Sequence, residues 1–336
     1  MSPGTPDRAP LGEKDLRSFY QGRRVLLTGV NGFLGSHLIR RLSELGACGA
    51  GIHRPGSDLA RLQPLDPKVR WIPADLRDRE ALGRAVRDFA PTIVFHVAAR
   101  GVDPALRDLE AMFMTNVVGL VNLLDALEGV PFEGFVNTGT CSEYGPRGTE
   151  PRLESEPPDP VSAYGISKAS AVMLGVNQAR ARDWPIVTLR PFTTYGPFER
   201  PDRLVGYAMA CVLRGQEMRA TGGKQARDFI YVEDVVEAYL RAAIPPVASG
   251  EIINVGSGQV VTIAELIQKV CQISGTQVPV RLGALPYRED EIWHLCADIR
   301  RARKLLGWAP QVSLEEGLRR TLRWYRQSFA GAGPSG

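Results

Sequence analysis

The sequence predicts an α/β fold, a doubly wound parallel sheet followed by a smaller α/β part, and three observations predict it. Short apolar runs alternate with stretches of helical periodicity over roughly the first 190 residues, the pattern that strand–helix–strand units leave in a chain. A glycine-rich turn, Gly29-Val30-Asn31-Gly32-Phe33-Leu34-Gly35, joins the first apolar run to the first periodic stretch. After Pro197 the ordered alternation weakens into short strands, helices and glycine-rich loops.

Arg24-Val25-Leu26-Leu27-Thr28 is the first strand, and beyond the glycine turn apolar residues recur at helical spacing through Leu38, Ile39 and Leu42. Glycines there let the backbone approach a pyrophosphate, whose charge is then held by the free amides of the helix N-terminus. Gly29, Asn31, Gly32, Phe33, Leu34 and Gly35 are therefore expected to line a dinucleotide. The second strand, Ala47 to His53, runs into His53-Arg54-Pro55-Gly56-Ser57, with Arg61 further on and no acid before Asp58. An acid at this point suits the ribose hydroxyls of NAD, whereas an arginine suits the 2′-phosphate of NADP. Arg54, supported by Ser57, makes NADP(H) the expected cofactor and NAD(H) the alternative.

Lys68 to Pro73 reads as a third strand, with Asp75-Leu76 placed after it to meet an adenine ring. Thr92 to Ala99 is a buried fourth strand whose small Ala98 and Ala99 permit close approach of a cofactor; His96 within it reads as a core histidine. The helix from about Asp108 to Leu127 carries Asn116, which either bridges backbone and active-site groups or faces a neighbouring helix. Gly134 to Thr138 is the fifth strand, and Thr140 lies just past its C-terminal end, where open parallel sheets bind ligands. Pro185 to Arg190 is the sixth. Later elements are a helix within 201–223, a strand over Phe229 to Val232, and a helix over Val235 to Ala243. Strands at Ile252 to Val255 and Val278 to Leu282 and a last helix from Leu314 to Gln327 complete the chain.

The organisation expected is a flexible tail over 1–20, a dinucleotide-binding domain over 21–197 with returns from about 225–260, and a mainly substrate-binding part over 198–328. Residues 329–336 are a second tail. A chain of 336 residues with 44% hydrophobic and 23% charged residues has the composition of an ordinary globular protein with a sizeable core. Its net charge of +4 is small and scattered, which argues against nucleic acid as a partner. No long apolar run suggests a membrane span, and the first twenty residues lack a signal-peptide core. Five cysteines without a Cys-x-x-Cys suit reduced thiols in a cytosol, and the four histidines show no metal-ligand spacing.

Tyr164-Gly165-Ile166-Ser167-Lys168 carries the chemistry. A tyrosine and a lysine four positions apart share one face of a helix, so an ammonium can sit beside a phenol. The neighbouring charge favours the phenolate and brings a group that normally titrates near pH ~10 towards proton exchange with a sugar or alcohol hydroxyl.

Together these stretches resemble the extended short-chain dehydrogenase/reductase family, in its nucleotide-sugar epimerase, dehydratase and reductase branch, whose fold is of Rossmann type. The resemblance runs from about Arg24 to Tyr325. It is carried by Thr28 to Gly35, Phe95-His96-Val97-Ala98-Ala99, Thr140 with Tyr144-Gly145, and Tyr164 with Lys168, then by Leu189 to Pro197 and Arg227 to Val235. It implies Thr140, Tyr164 and Lys168 as catalytic residues. Tyr164 would exchange a proton with the sugar oxygen, Lys168 would hold the ribose and lower the tyrosine pKa, and Thr140 would orient the substrate oxygen. It further implies cofactor contacts at Ala98, Ala99, Asn116 and Pro191, substrate contacts at Cys141, Ser142 and Thr193, and a diphosphate held by Arg227 and Arg288. Two guanidiniums suit a diphosphate through bidentate, charge-assisted hydrogen bonds.

Two departures narrow the chemistry. Dehydratases of this branch follow the catalytic threonine with Asp and Glu; here Cys141 and Ser142 stand there, which disfavours dehydration. Members that epimerise C3 and C5 use a cysteine two residues after the catalytic Ser, and Cys141 is one position early. Net reduction of a 4-keto sugar by NADPH and 4-epimerisation with retained NAD both stay open, and Arg54 inclines the expectation to reduction. A non-enzymatic dinucleotide sensor is a third class, opposed by the intact Tyr164 and Lys168. Relatives commonly dimerise through the helices carrying Asn116 and Tyr164, and a homodimer is the expected assembly.

Overall fold

A computed structural model describes residues 7–64, 66–101, 108–247 and 249–331 of the chain. Seven parallel strands form the main sheet: β1 (Arg24–Thr28), β2 (Cys48–His53), β3 (Arg70–Pro73), β4 (Ile93–His96), β5 (Gly134–Thr138), β6 (Ile186–Pro191) and β7 (Ile252–Val255). Their order across the sheet is β7-β6-β5-β4-β1-β2-β3. The chain starts in the middle and winds out both ways, so the order reverses beside β1 and leaves a crevice at the strands' C-terminal ends. Val25, Leu26, Leu27, Ile93, Val94 and Phe95 have no exposed surface, as strands covered on both faces require.

Helices cover both faces. On one lie α1 (Glu13–Tyr20), α2 (Phe33–Glu44) and α7 (Val232–Ala242), whose Leu16, Leu38, Ile39, Val235 and Leu240 share a core with Val25, Leu27 and Phe95. On the other lie α3 (Arg79–Phe89), α4 (Leu109–Ala126) and α5 (Ala163–Arg182), whose Leu82, Leu120, Leu123 and Ala171 pack on Leu26, Val94 and Phe135. Each fully buried Leu, Ile or Phe contributes about 1.5–3 kcal/mol, so these two layers hold the sheet rigid under the crevice. The smaller part is built from α6 (Leu204–Arg214), α8 (Ile263–Ser274), α9 (Arg300–Leu306) and α10 (Leu314–Gly331) with two-residue strand pairs; Met209, Leu266, Val270, Leu318 and Tyr325 form the core of most of it.

Several expectations change. The segment assigned to a loose N-terminal tail contains α1, because Leu16 and Tyr20 are apolar positions one turn apart that the core accepts, and the Tyr20 hydroxyl donates to Leu240 O at 2.6 Å. Residues 1–6 and 332–336 of the two expected tails lie outside the described residues, and α10 continues to Gly331. The fourth strand stops at His96, so Ala98 and Ala99 lie in the loop that follows it. Pairing of Val278 to Leu282 is confined to Val280–Arg281. Helices α8 and α9 and the strand Thr193–Tyr195 were not anticipated. Although no span was expected, α4 is long and apolar enough, by length and composition, to cross a bilayer; its apolarity serves the core, where Met112, Leu120, Leu123 and Leu124 are buried.

Candidate active site

The glycine turn sits at the head of the crevice. Gly29 has φ +69°, and a Cβ there would stand 2.6 Å from Ala98 Cα and 2.7 Å from Ala98 N; one at Gly35 would stand 2.2 Å from Gly29 O. Only glycine lets the loop after β4 and the start of α2 approach the turn this closely. Gly32 precedes α2 in extended conformation, with no side chain capping the helix and no acid in its first turn. The cradle therefore presents uncompensated helix N-terminal amides, and it fits the pyrophosphate of a dinucleotide. Asn31 Nδ2 donates to Asp58 O at 3.1 Å and ties the turn to the loop after β2.

That loop carries Arg54, exposed, whose carbonyl accepts from Ser57 Oγ at 2.5 Å. Asp75, at the end of β3, accepts from Arg77 N, Nε and Nη2 at 2.9, 3.0 and 2.7 Å. Arg77 first, and Arg54 more weakly, hold the Asp75 carboxyl below the usual carboxylate range. The Arg54 charge is thus within electrostatic reach of Asp75. The side chain of Leu76 is in the core, and its carbonyl accepts from Asn122 Nδ2 of α4 at 2.9 Å. Ala98 and Pro191 are half-buried at the crevice and Ala99 is exposed. His96 is a core residue as expected, its Nδ1 2.8 Å from Thr28 Oγ1.

Thr140, 7% exposed, starts the short turn Cys141–Glu143 and accepts from Ser142 N at 3.2 Å. The spacing Thr140-x-x-Glu143 is a capping box: Glu143 Oε1 accepts from Thr140 N at 2.7 Å. Ser162 caps α5, its Oγ accepting from Gly165 N at 3.1 Å, which starts the helix at Ala163, one residue before Tyr164, and sets the rotation of Tyr164 and Lys168. The Tyr164 phenol is half-buried and lies near enough to the Thr140 hydroxyl for Thr140 to act on its pKa.

Burial pushes the Tyr164 phenol above its ordinary value, Cys141 and Glu143 push it further, and Thr140 and Arg203 act against them. Lys168, 1% exposed, is lowered to about 8 by burial, with Glu143 opposing. The resemblance implied a tyrosine pKa lowered by the lysine; burial outweighs any such effect here, and the phenol is protonated at neutral pH. Lys168 stays charged at neutral pH and acts on His96.

Asn116 resolves to a bridge. It is fully buried in a π-turn, Met114–Val118, within α4. Its Oδ1 accepts from Arg100 N at 2.8 Å, while Nδ2 donates to Arg100 O and to Ser167 Oγ, both at 2.9 Å. The π-turn re-aims one side chain inward, linking the loop after β4 to the helix of Tyr164 and Lys168.

On the substrate side, Cys141 is a neutral wall, its thiol pushed up to about 12 chiefly by burial although Arg227 pulls the other way. Ser142 and Thr193 are half-buried, and Thr193 N donates to Asp228 O at 3.0 Å. Arg227 Nη2 donates to Glu291 Oε1 at 2.6 Å, and the exposed Arg288 is near enough for its charge to lower the Arg227 pKa, although burial does so more strongly. The two residues the resemblance implied for a diphosphate therefore lie within electrostatic reach of each other. Sequence reasoning missed Glu143, Arg190, Asp228 and Glu291. The capping-box spacing was the available signal for Glu143; the others depend on tertiary partners. Among the described residues no cluster of three or more His, Cys, Asp or Glu side chains could hold a metal.

The model of the NAD-dependent epimerase/dehydratase family matches residues 25–256. A probable UDP-glucuronate 4-epimerase of Rhizobium meliloti is 29% identical, covering 91% of this chain and 98% of its own. The crystal structure of UDP-glucose 4-epimerase from Thermotoga maritima, with UDP-glucose, superposes with a TM-score of 0.84 at 30% identity over 91% of this chain and 99% of that one. UDP-glucose 4-epimerase from Thermus thermophilus, in complex with NAD, gives 0.83 at 30% identity over 90% and 99%.

Proposed function

The chain belongs to the NAD-dependent epimerase/dehydratase family, within the nucleotide-sugar branch of the extended short-chain dehydrogenases, and from that premise we propose that it is a UDP-sugar 4-epimerase with retained NAD. The observation that carries this reading is near-full-length similarity to 4-epimerases, combined with a site that keeps Thr140, Tyr164 and Lys168 and lacks a carboxylate pair after Thr140. Reduction with NADPH, the expectation drawn from Arg54, has less support: the Thermus relative binds NAD, and the Arg54 charge already acts on Asp75.

NAD, when bound, supplies a reversible hydride acceptor for the sugar carbon. The chain's own residues do the rest. Tyr164 first gives up to solvent the proton it carries at rest; as the phenolate, beside Thr140, it takes the proton of the 4-hydroxyl as C4 is oxidised and returns it once the sugar has turned its other face. Lys168, charged at neutral pH, holds the ribose and favours the phenolate during that exchange. Arg227 and Arg288 hold the diphosphate, so that the sugar can rotate without leaving. Leu109 and Phe113 on α4 and Ile166 and Met173 on α5 are exposed apolar residues on helices that pack on each other, which supports a homodimer through these two helices. Sedimentation as a monomer alone at micromolar concentration would reject the dimer.

The test is to denature the purified protein, identify any released dinucleotide, and incubate the native protein with UDP-glucose and UDP-glucuronate in deuterated water. The proposal expects bound NAD and a 4-epimer without deuterium at C4. Product formed only with stoichiometric loss of NADPH would replace it with a reductase.

A further inference from the structure

We propose that Glu143 is a positioning residue for the reacting set: clamped by Arg190, its carboxylate fixes the Thr140 backbone and supplies the negative charge that keeps the Lys168 ammonium in place. The inference rests on the proposed roles of Thr140, Tyr164 and Lys168, and its test reads the lysine amine directly, without turnover.

Glu143 has no exposed surface, and Arg190 is 2% exposed. One carboxylate oxygen accepts from Thr140 N at 2.7 Å; the other accepts from Arg190 Nε and Nη2, both at 2.8 Å. Arg190 is itself fastened, its Nη1 donating to the Tyr144 hydroxyl at 3.1 Å while its guanidinium lies 4.8 Å from the centre of that ring. The Tyr144 hydroxyl donates onward to Asn254 Oδ1 of β7 at 2.7 Å. The chain of bonds therefore runs from β7 through β6 to the turn that carries Thr140. A carboxylate needed only to cap that turn would be placed at the surface, because burying a charge is costly unless it is paired.

Glu143 also meets the helix of Tyr164 and Lys168. A Cβ on Gly139 would stand 2.6 Å from Glu143 Oε1, 3.0 Å from Arg190 Cγ and 3.2 Å from Val172 Cγ2, and Val172 is one turn along α5 from Lys168. Gly139 is thus the gap through which the carboxylate reaches α5. The charged and titratable groups that act on or beside the amine are Glu143 from the turn and His96 from β4, with Tyr164 one turn away on its own helix. Those around the carboxylate are Arg190, Lys168, Tyr164 and Cys141, with Tyr239 of α7 beyond Tyr164. His96 is neutral, so Glu143 is the sole negative charge acting on the amine in this set.

The experiment is an NMR titration of the protein labelled with 13C-lysine, with Lys168 assigned by the signal lost in Lys168→Met. The wild type should show this lysine titrating near 8. In Glu143→Gln the midpoint should fall by about one unit, the effect of removing the opposite charge that acts on the amine. Glu143→Asp, which keeps the charge, should restore it. If Glu143→Gln does not fold because Arg190 is left unpaired, Glu143→Gln/Arg190→Met removes both charges and should lower the midpoint too, since Glu143 is the charge that acts on the amine. A folded variant with an unchanged lysine midpoint overturns the proposal. Where a substrate turns over, Glu143→Gln should lower kcat about tenfold or more and leave KM nearly unchanged.

Discussion

Asn116 on α4 donates its amide to the hydroxyl of Ser167 on α5 at 2.9 Å, and that hydroxyl donates to the carbonyl of Tyr164 at 2.9 Å. One buried amide thereby links the loop after β4 to the backbone of Tyr164. Asn116→Leu removes three hydrogen bonds and strands both backbone groups of Arg100. Unfolding in urea should show a loss of about 2–4 kcal/mol, and kcat should fall more than KM rises. A stable variant with normal kcat would mean that the π-turn alone holds α5.

Glu291 accepts from Arg227 Nη2 and would compete with the proposed diphosphate for it; its other oxygen accepts from Gln225 Nε2 at 3.1 Å. Glu291→Gln should free the guanidinium and bind UDP several-fold tighter by calorimetry. Arg227→Met should weaken UDP about tenfold or more, the scale of a lost charge-assisted pair. Equal UDP affinity in all three proteins would remove Arg227 from the diphosphate site.

Gly35→Ala places a methyl 2.2 Å from Gly29 O, so α2 must back away from the turn. NAD affinity should drop about a hundredfold while the thermal midpoint of the free protein falls by only a few degrees. Unchanged NAD binding would show that the pyrophosphate lies elsewhere.

Buried titratable groups bias stability in opposite pH windows. His96 is lowered to about 3 by burial and by Lys168, so the unfolded chain takes up a proton below about 6.5 that the folded protein refuses. Its contribution is present above that pH and is lost as pH falls towards 3, by at most about 1.4 kcal/mol per pH unit. Glu199 is raised to about 8 by burial, with Arg203 acting against it, and its Oε2 accepts no hydrogen bond. Its contribution is present below the unfolded carboxylate pKa and is lost as pH rises through 8. Urea midpoints from about pH 5 to 9 should therefore flatten on the acid side in His96→Gln and on the alkaline side in Glu199→Gln. Parallel curves for wild type and variants would contradict both assignments.

The sequence by itself determined the strand–helix alternation from β1 to β6, the glycine turn and the pairing of Tyr164 with Lys168, because each depends on local spacing: a period of about 2 or 3.6 in the apolar pattern, or one helical turn between two side chains. It did not reveal α1, whose stability comes from Leu16 and Tyr20 meeting α7 more than two hundred residues on, nor the direction of the Tyr164 pKa. Only the tertiary structure decided those. Burial, and the charges of Glu143, Arg190 and Glu291 that burial brings together, are properties of the packed interior, and no spacing along the chain encodes how far a group lies from water.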